Sequence, residues 1–346
     1  MRGRIHDSSS GRRRSVPTVS DVAALAGVSV GTVSKAMNGR GQLRDATRQR
    51  VLAAAKELGF QPNALARGLL EGRTYTVGVL TTDSFGRFTL PIMLGVEDAL
   101  GAGEILTLLC DGRGDRLREQ HYVRTLLGRR VDGIVVTGRR RDPRAPIGDL
   151  PIPVVYVYAL SESADDLSIT CDDEQGAGLA IAHLLRTGRS RIAHVTGPHR
   201  HLSARLRESG ARLALAEAGT TFAGGGVLWG EWSEAWGRGA AQILLRSGEE
   251  FDAVFCGSDQ IARGVADTLR DSGRRVPQDV ALVGFDNWDV MAEACRPPLT
   301  TVEPNLAELG RVAAARLLEA IEGGTVAPGR LLLPCDLVIR ESTGAA

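Results

Sequence analysis

TVSDVAALAGVSVGTVSKAMN, residues 18–38, decides how the front of the chain folds. Thr18-Val19-Ser20-Asp21 fits the capping pattern in which a hydroxyl and an acid three residues on satisfy each other's end of a helix. Val22, Leu25 and Ala26 then recur at i, i+3 and i+4, which gives that helix one apolar face. Gly27 can take the left-handed backbone a helix stop requires, and Val28 follows as a buried pivot. Ser29 is a good N-cap for a second helix over 30–37, closed by Asn38-Gly39. Two short helices around a glycine turn are the pattern of a DNA-binding helix-turn-helix.

Such a pair cannot build a core alone, and the next segment supplies a third helix. Asp45 is expected to cap a helix over 46–58, with Val51, Ala55 and Leu58 inward and Gly59 as its stop. PNALARGLL, residues 62–70, begins a new piece too short to be a stable free helix. Before the first helix, Ser8-Ser9-Ser10-Gly11 and Arg12-Arg13-Arg14 offer almost nothing to bury and read as a disordered basic tail.

Charge separates this front from the rest. Residues 1–73 hold 13 Lys and Arg against 5 Asp and Glu, while the whole chain carries only +1, so the remaining residues carry −7. A basic front on an acidic body points to a polyanion met by the front alone. The five cysteines are scattered without a C-x-x-C, which argues for buried thiols over a disulfide framework. The first residues lack an apolar signal core and no run is long enough for a membrane span, so a cytoplasmic location with no membrane partner is expected.

From Tyr75 onward, apolar strands alternate with amphipathic helical runs. TVGVLTT (76–82), EILTLLC (104–110) and GIVVTG (133–138) read as buried parallel strands, and PVVYVYA (153–159), RIAHVTG (191–197), DAVFCGSD (252–259) and DVALVGFD (279–286) continue the series. Helical stretches near 90–101, 116–129, 174–187, 204–218, 233–247, 260–272 and 306–321 separate them. The alternation predicts doubly wound α/β architecture in two units. No G-x-G-x-x-G follows a strand and no P-loop occurs, so no cofactor is expected. No nucleophile, base or metal set is arranged for catalysis either, since Ser258-Asp259 lack the G-x-S-x-G setting and His199-x-His201 lacks a third ligand.

TVSDVAALAGVSVGTVSKAMNG, PNALARGLL, SARLRESG (203–210), GSDQIARG (257–264), VALVGFDN (280–287) and PPLTTVEPN (297–305), in this order, resemble the lactose-repressor (LacI/GalR) family of transcription regulators over nearly all of residues 17–342. The resemblance implies an all-α helix-turn-helix DNA-binding domain joined by a hinge helix to an α/β two-lobed periplasmic-binding-protein-like (type I) domain. The implied boundaries are a tail at 1–17, a reader at 18–61, a hinge at 62–73 and an effector-binding and dimerisation domain at 74–342. Lobe 1 would take about 74–172 and 303–325, and lobe 2 about 173–302 and 326–342.

By the same resemblance Val30, Gly31 and Lys35 face bases, with Thr18, Ser29, Thr32, Ser34 and Asn38 nearer phosphates. Lys35 can donate to a guanine edge and Val30 can touch a thymine methyl, whereas Gly31 has no side chain to read with. Asn63 and Arg67 would lie near the groove, and Leu69 matches the wedge that a hinge helix drives into the minor groove. In the body, Arg207 and Asp286 would form the main polar clamp on a ligand, with Asp83, Phe88, Trp232 and Ser258 around it. Asp286 could instead cap the helix after it, and Trp232 could cover a lobe edge. The implied partners are double-stranded DNA with a pseudo-palindromic operator, a second copy of the chain in a homodimer, and a small-molecule effector, a sugar or alternatively a metabolite such as a nucleobase. A two-fold dimer follows because one small reader makes too few contacts alone.

Overall fold

The computed structural model describes residues 17–37, 42–60, 73–101, 105–223 and 226–344. The chain divides into two units, Met1–Thr74 and Tyr75–Ala346. In the first, helices α1 (Val19–Ala26), α2 (Val30–Met37) and α3 (Asp45–Leu58) enclose Val22, Ala26, Val33, Ala36, Val51 and Ala55. The local chemistry places the helix ends. The Thr18 N–H donates to Asp21 Oδ2 at 2.7 Å while the Asp21 N–H donates back to Thr18 Oγ1 at 3.3 Å, a complete capping box. Gly27 closes α1 at φ +62°, a conformation other residues adopt only with strain. Ser29 Oγ accepts the Thr32 N–H at 3.2 Å and so opens α2. The expectation for α3 needs one correction. Asp45 is its first helical residue, preceded by Arg44, which makes no side-chain cap. An acid there still favours the positive end of the helix dipole.

The second unit holds two six-stranded sheets. Strands β1 (Thr76–Thr81), β2 (Leu106–Asp111), β3 (Gly133–Thr137), β5 (Val154–Val157), β7 (Leu167–Cys171) and β13 (Gly329–Leu333) form the first, in the order 13-7-5-3-1-2 and parallel throughout. Strands β8 (Ile192–Thr196), β9 (Val227–Trp229), β10 (Ala253–Cys256), β11 (Ala281–Phe285), β12 (Thr300–Glu303) and β14 (Asp336–Val338) form the second, in the order 14-12-11-10-8-9, with β14 alone antiparallel. Two-residue strands β4 (Pro143–Arg144) and β6 (Leu160–Ser161) pair separately. Helices α4 (Thr89–Ala99), α5 (Arg116–Gly128) and α11 (Leu306–Ile321) belong to the first lobe; α6 (Asp173–Arg186), α7 (Leu202–Glu217), α8 (Glu234–Arg246), α9 (Asp259–Asp271) and the single turn α10 (Asp289–Ala292) belong to the second. Strands such as β3, β8 and β11 are buried at every residue, as sheets covered on both faces require.

The chain passes between lobes three times, after β7, after β12 and after β13. The third passage departs from the expected boundary. Residues 329–333 pair with β7 in the first sheet, and the crossing falls at Pro334-Cys335. The physical reason is that LLL within β13 completes the edge of lobe 1, a long-range pairing invisible to local pattern. The crossings are stitched to one another: Asp172 N–H donates to the Leu333 carbonyl at 2.8 Å, and the Gln175 amide both accepts from the Cys335 N–H at 2.9 Å and donates to its carbonyl at 3.2 Å. Within lobe 1, α4 and α11 cross so closely that a Cβ on Gly95 or Gly310 would strike the opposing backbone at Ala307 or Ile92. This contact fixes the platform from which the β1–α4 loop reaches the cleft.

Candidate functional site

In the first unit, α2 turns Val33 and Ala36 into the core and leaves Val30, Gly31, Ser34 and Lys35 exposed. Spacings of one, four and five residues put these on a single helical face. Val30 is 49% exposed, a large apolar residue that folding leaves uncovered. Thr18 and Ser29 are committed to their helix caps, and Thr32 Oγ1 lies 3.0 Å from Ser29 Oγ, so these hydroxyls hold the helix ends in the free protein. Asn38, Asn63, Arg67 and Leu69 lie outside the described residues.

In the second unit, a cavity of about 280 Å³ opens between the lobes at the carboxyl ends of the strands, where open α/β sheets bind ligands. Phe88, Arg207, Trp232, Ser258 and Asp286 meet there, each on the loop or helix that follows a parallel strand. Arg207 is 2% exposed and anchors the floor. Its Nε donates to Asp173 Oδ1 at 2.7 Å, its Nη2 to Asp286 Oδ1 at 3.2 Å, and its Nη1 to the Gly257 carbonyl. Its guanidinium also sits 3.5 Å from the Phe285 ring centroid. Burial works against that charge, but Asp173 and Asp286 outweigh it and raise the guanidinium above its ordinary pKa. The Trp232 indole lies on Gly197, where a Cβ would collide with the ring, and its Nε1 donates to His201 Nδ1 at 2.7 Å.

Asp83 is the exception among the expected ligand residues. Its Oδ2 accepts the N–H groups of Phe88 at 2.8 Å and Thr89 at 3.1 Å, capping α4, and it does not line the shared cavity. Asp83 therefore positions the β1–α4 loop. Ser258 does line the cavity, while its Oγ accepts the Ile261 N–H at 3.4 Å as the N-cap of α9.

Several wall residues were not among those expected from the sequence. Arg87 crosses from lobe 1 to lobe 2, where Nη2 donates to Asp286 Oδ2 and Nη1 to Gln260 Oε1 at 3.1 Å. Both oxygens of Asp286 thus accept from arginines, one from each lobe. Arg141 is buried against Asp173 with its guanidinium 4.9 Å from the Tyr158 ring centroid, and Tyr158 stacks on Phe88 at 4.7 Å. Burial raises the Tyr158 phenol, which stays protonated. Tyr158 (φ +64°) and Asp286 (φ +105°) hold left-handed backbones that cost each about 1–3 kcal/mol, and both face the cleft. The signal was available in outline: both residues end apolar strands, at the place where α/β sheets present functional groups.

Behind Asp286, Asp259 is fully buried. Its Oδ1 accepts from Thr301 Oγ1 at 2.5 Å and its Oδ2 from the Trp288 N–H at 2.7 Å, so it joins α9 to the loop after β11 and to β12. Burial, then the nearby Asp286 charge, pushes its pKa up to about 7. Among the described residues no group of three or more His, Cys, Asp or Glu could hold a metal ion.

Residues 18–63 match the family described as bacterial regulatory proteins, lacI family, and residues 181–343 match the periplasmic binding protein-like domain. The chain is 37% identical over 339 residues to the HTH-type transcriptional regulator CelR of Thermobifida fusca, covering 95% of this chain and 99% of that one. The chain belongs to the lacI family of bacterial regulatory proteins. As a LacI-family member it is a DNA-binding transcription regulator and not an enzyme. Among solved structures, a CelR–cellobiose complex is 35% identical with a TM-score of 0.66, covering 94% of this chain and 99% of that one. A lac repressor dimer bound to operator and an anti-inducer is 28% identical with a TM-score of 0.74, covering 96% of this chain and all of that one. Among the described residues no helix of this LacI-family chain is long and apolar enough to cross a membrane.

Proposed function

We propose that this regulator is a homodimeric repressor of carbohydrate-utilisation genes, and that a small sugar-like effector in the interlobe cleft sets its affinity for a pseudo-palindromic operator. The observation that carries this reading is the wall of the cleft. Arg207 and Asp286 offer a guanidinium fork beside a carboxylate, the pairing that suits adjacent hydroxyls, and Trp232 supplies an apolar face for a sugar ring. A relative of known structure holds cellobiose. The reading stripe of α2 gives Lys35 as the one long polar side chain among the base-facing residues Val30, Gly31 and Lys35, so base contacts elsewhere and DNA shape carry much of the sequence preference. Leu69, in the hinge segment, serves as the minor-groove wedge.

The test is a thermal-shift screen of neutral and acidic sugars with free nucleobases alongside, followed by gel shifts on an operator selected from random duplexes. A sugar that raises the melting temperature and changes operator affinity supports the reading. A nucleobase that does so while every sugar fails overturns the carbohydrate assignment. Leu69→Ala should weaken operator binding about tenfold, roughly the worth of one unstacked step, without altering effector affinity.

A further inference from the structure

We infer that the effector carries an anionic oxygen group, a carboxylate or a phosphate, received by the Arg139-Arg140-Arg141 wall of the cleft. This rests on the reading of the cleft as the effector site. The first ground is charge. Five arginines line the cavity against Asp142, Glu231 and Asp286, and behind the lining Asp173 pairs with Arg141 and Arg207. Asp286 is already held by Arg87 and Arg207, Asp142 Oδ1 accepts the Leu202 N–H at 2.7 Å, and Glu231 faces Arg200 at 3.9 Å. Arg139 and Arg140 are exposed to the cavity and make no ion pair with any described residue. The wall therefore presents positive charge that the protein itself leaves unbalanced.

The second ground is independent of net charge. Among the residues lining the cavity, the buried polar atoms without a partner are Arg87 Nε, Arg141 Nε and Nη2, and His201 Nε2. All are donors. The histidine belongs in this group because its Nδ1 accepts from the Trp232 indole, which puts the proton of the neutral ring on Nε2. Burial, the largest influence on His201, lowers its pKa and keeps that ring neutral near pH 7. Nε and Nη2 of Arg141 make up one edge of its guanidinium, the edge that meets a carboxylate or phosphate with two parallel hydrogen bonds. A sugar hydroxyl brings a donor for each acceptor pair, whereas a carboxylate or phosphate brings acceptors alone. A set of donors lacking acceptors matches the second kind of group.

Calorimetric titration of the full-length protein with glucose, galactose and cellobiose, each beside its uronate and its 6-phosphate, tests this. At least one acidic form should bind about 10- to 100-fold tighter than its neutral parent, the range expected when charge-assisted hydrogen bonds form, and its affinity should fall with added salt. The better of the two acids identifies the group. Arg141→Gln should abolish the preference. Should that buried change prevent folding, the exposed Arg140→Gln should still reduce the preference about threefold with an unchanged melting temperature. A neutral parent that binds as tightly as both of its acids overturns the anionic group and leaves the sugar-effector reading standing. Failure of every sugar, neutral and acidic, overturns both.

Discussion

Asp286 accepts from arginines on both oxygens, one arginine from each lobe, so a ligand reaching it must share or replace one of them. Replacing Arg87 is the cheaper exchange, because Arg207 is also tied to Asp173 and the Gly257 carbonyl. Asp286→Asn should therefore weaken effector binding about tenfold or more, since charge-assisted bonds revert to neutral ones, as calorimetry will read. Asp259 makes a separate prediction at this scale. Its folded pKa, about 7, lies above its unfolded carboxylate value, so its contribution to stability is full at acid pH and is lost as pH rises through 7. Asp259→Asn should flatten the decline in urea stability between pH 5 and pH 8 by on the order of 3 kcal/mol. An unchanged slope would show that the buried carboxyl is not protonated in that window. Single residues were unevenly legible. Arg207, Trp232 and Asp286 stand out because rare or charged groups follow strands, whereas the role of Asp83 as a cap depends on a loop turning back five residues onto it.

At the scale of elements, the short polar signals around α1 and α2 did most to set their ends. Thr18→Ala removes the hydroxyl side of a complete capping box and should lower the reader's stability by about 1 kcal/mol in thermal melts. Lys35→Ala should leave that stability unchanged and weaken operator binding by about 1–3 kcal/mol in gel shifts at fixed salt. The apolar strands β1, β3, β8, β10 and β11 were equally plain from their runs of buried residues. Strand β7 was not, because LSITC alternates small polar and apolar side chains. Nor were β12, β13 and β14, whose pairing partners lie far away in sequence. Asp45 looked like a cap because acids favour both the cap and the first turn, and only the backbone geometry separates the two.

At the scale of the molecule, the family resemblance gave the three crossings between lobes, and only the third was misplaced. The third crossing depends on Leu331–Leu333 closing the edge of lobe 1, and the Arg87–Asp286 bridge depends on residues 199 positions apart. That bridge joins the two lobes across the cleft. Arg87→Ala should cost about 1–2 kcal/mol in urea denaturation of the ligand-free protein, because Asp286 keeps Arg207 as a partner. On the proposed function, coupling between cleft and operator follows from which lobe arrangement each partner favours, with a free energy of about 1–3 kcal/mol. The most direct test is a fluorescence-anisotropy titration of the selected operator at fixed salt, with and without a saturating cleft ligand, on the native protein and on Asp286→Asn. Operator affinity should shift about 5- to 150-fold in the native protein, and at the same ligand concentration by much less in the variant. A ligand that saturates the cleft of the native protein and leaves operator affinity untouched would contradict the account.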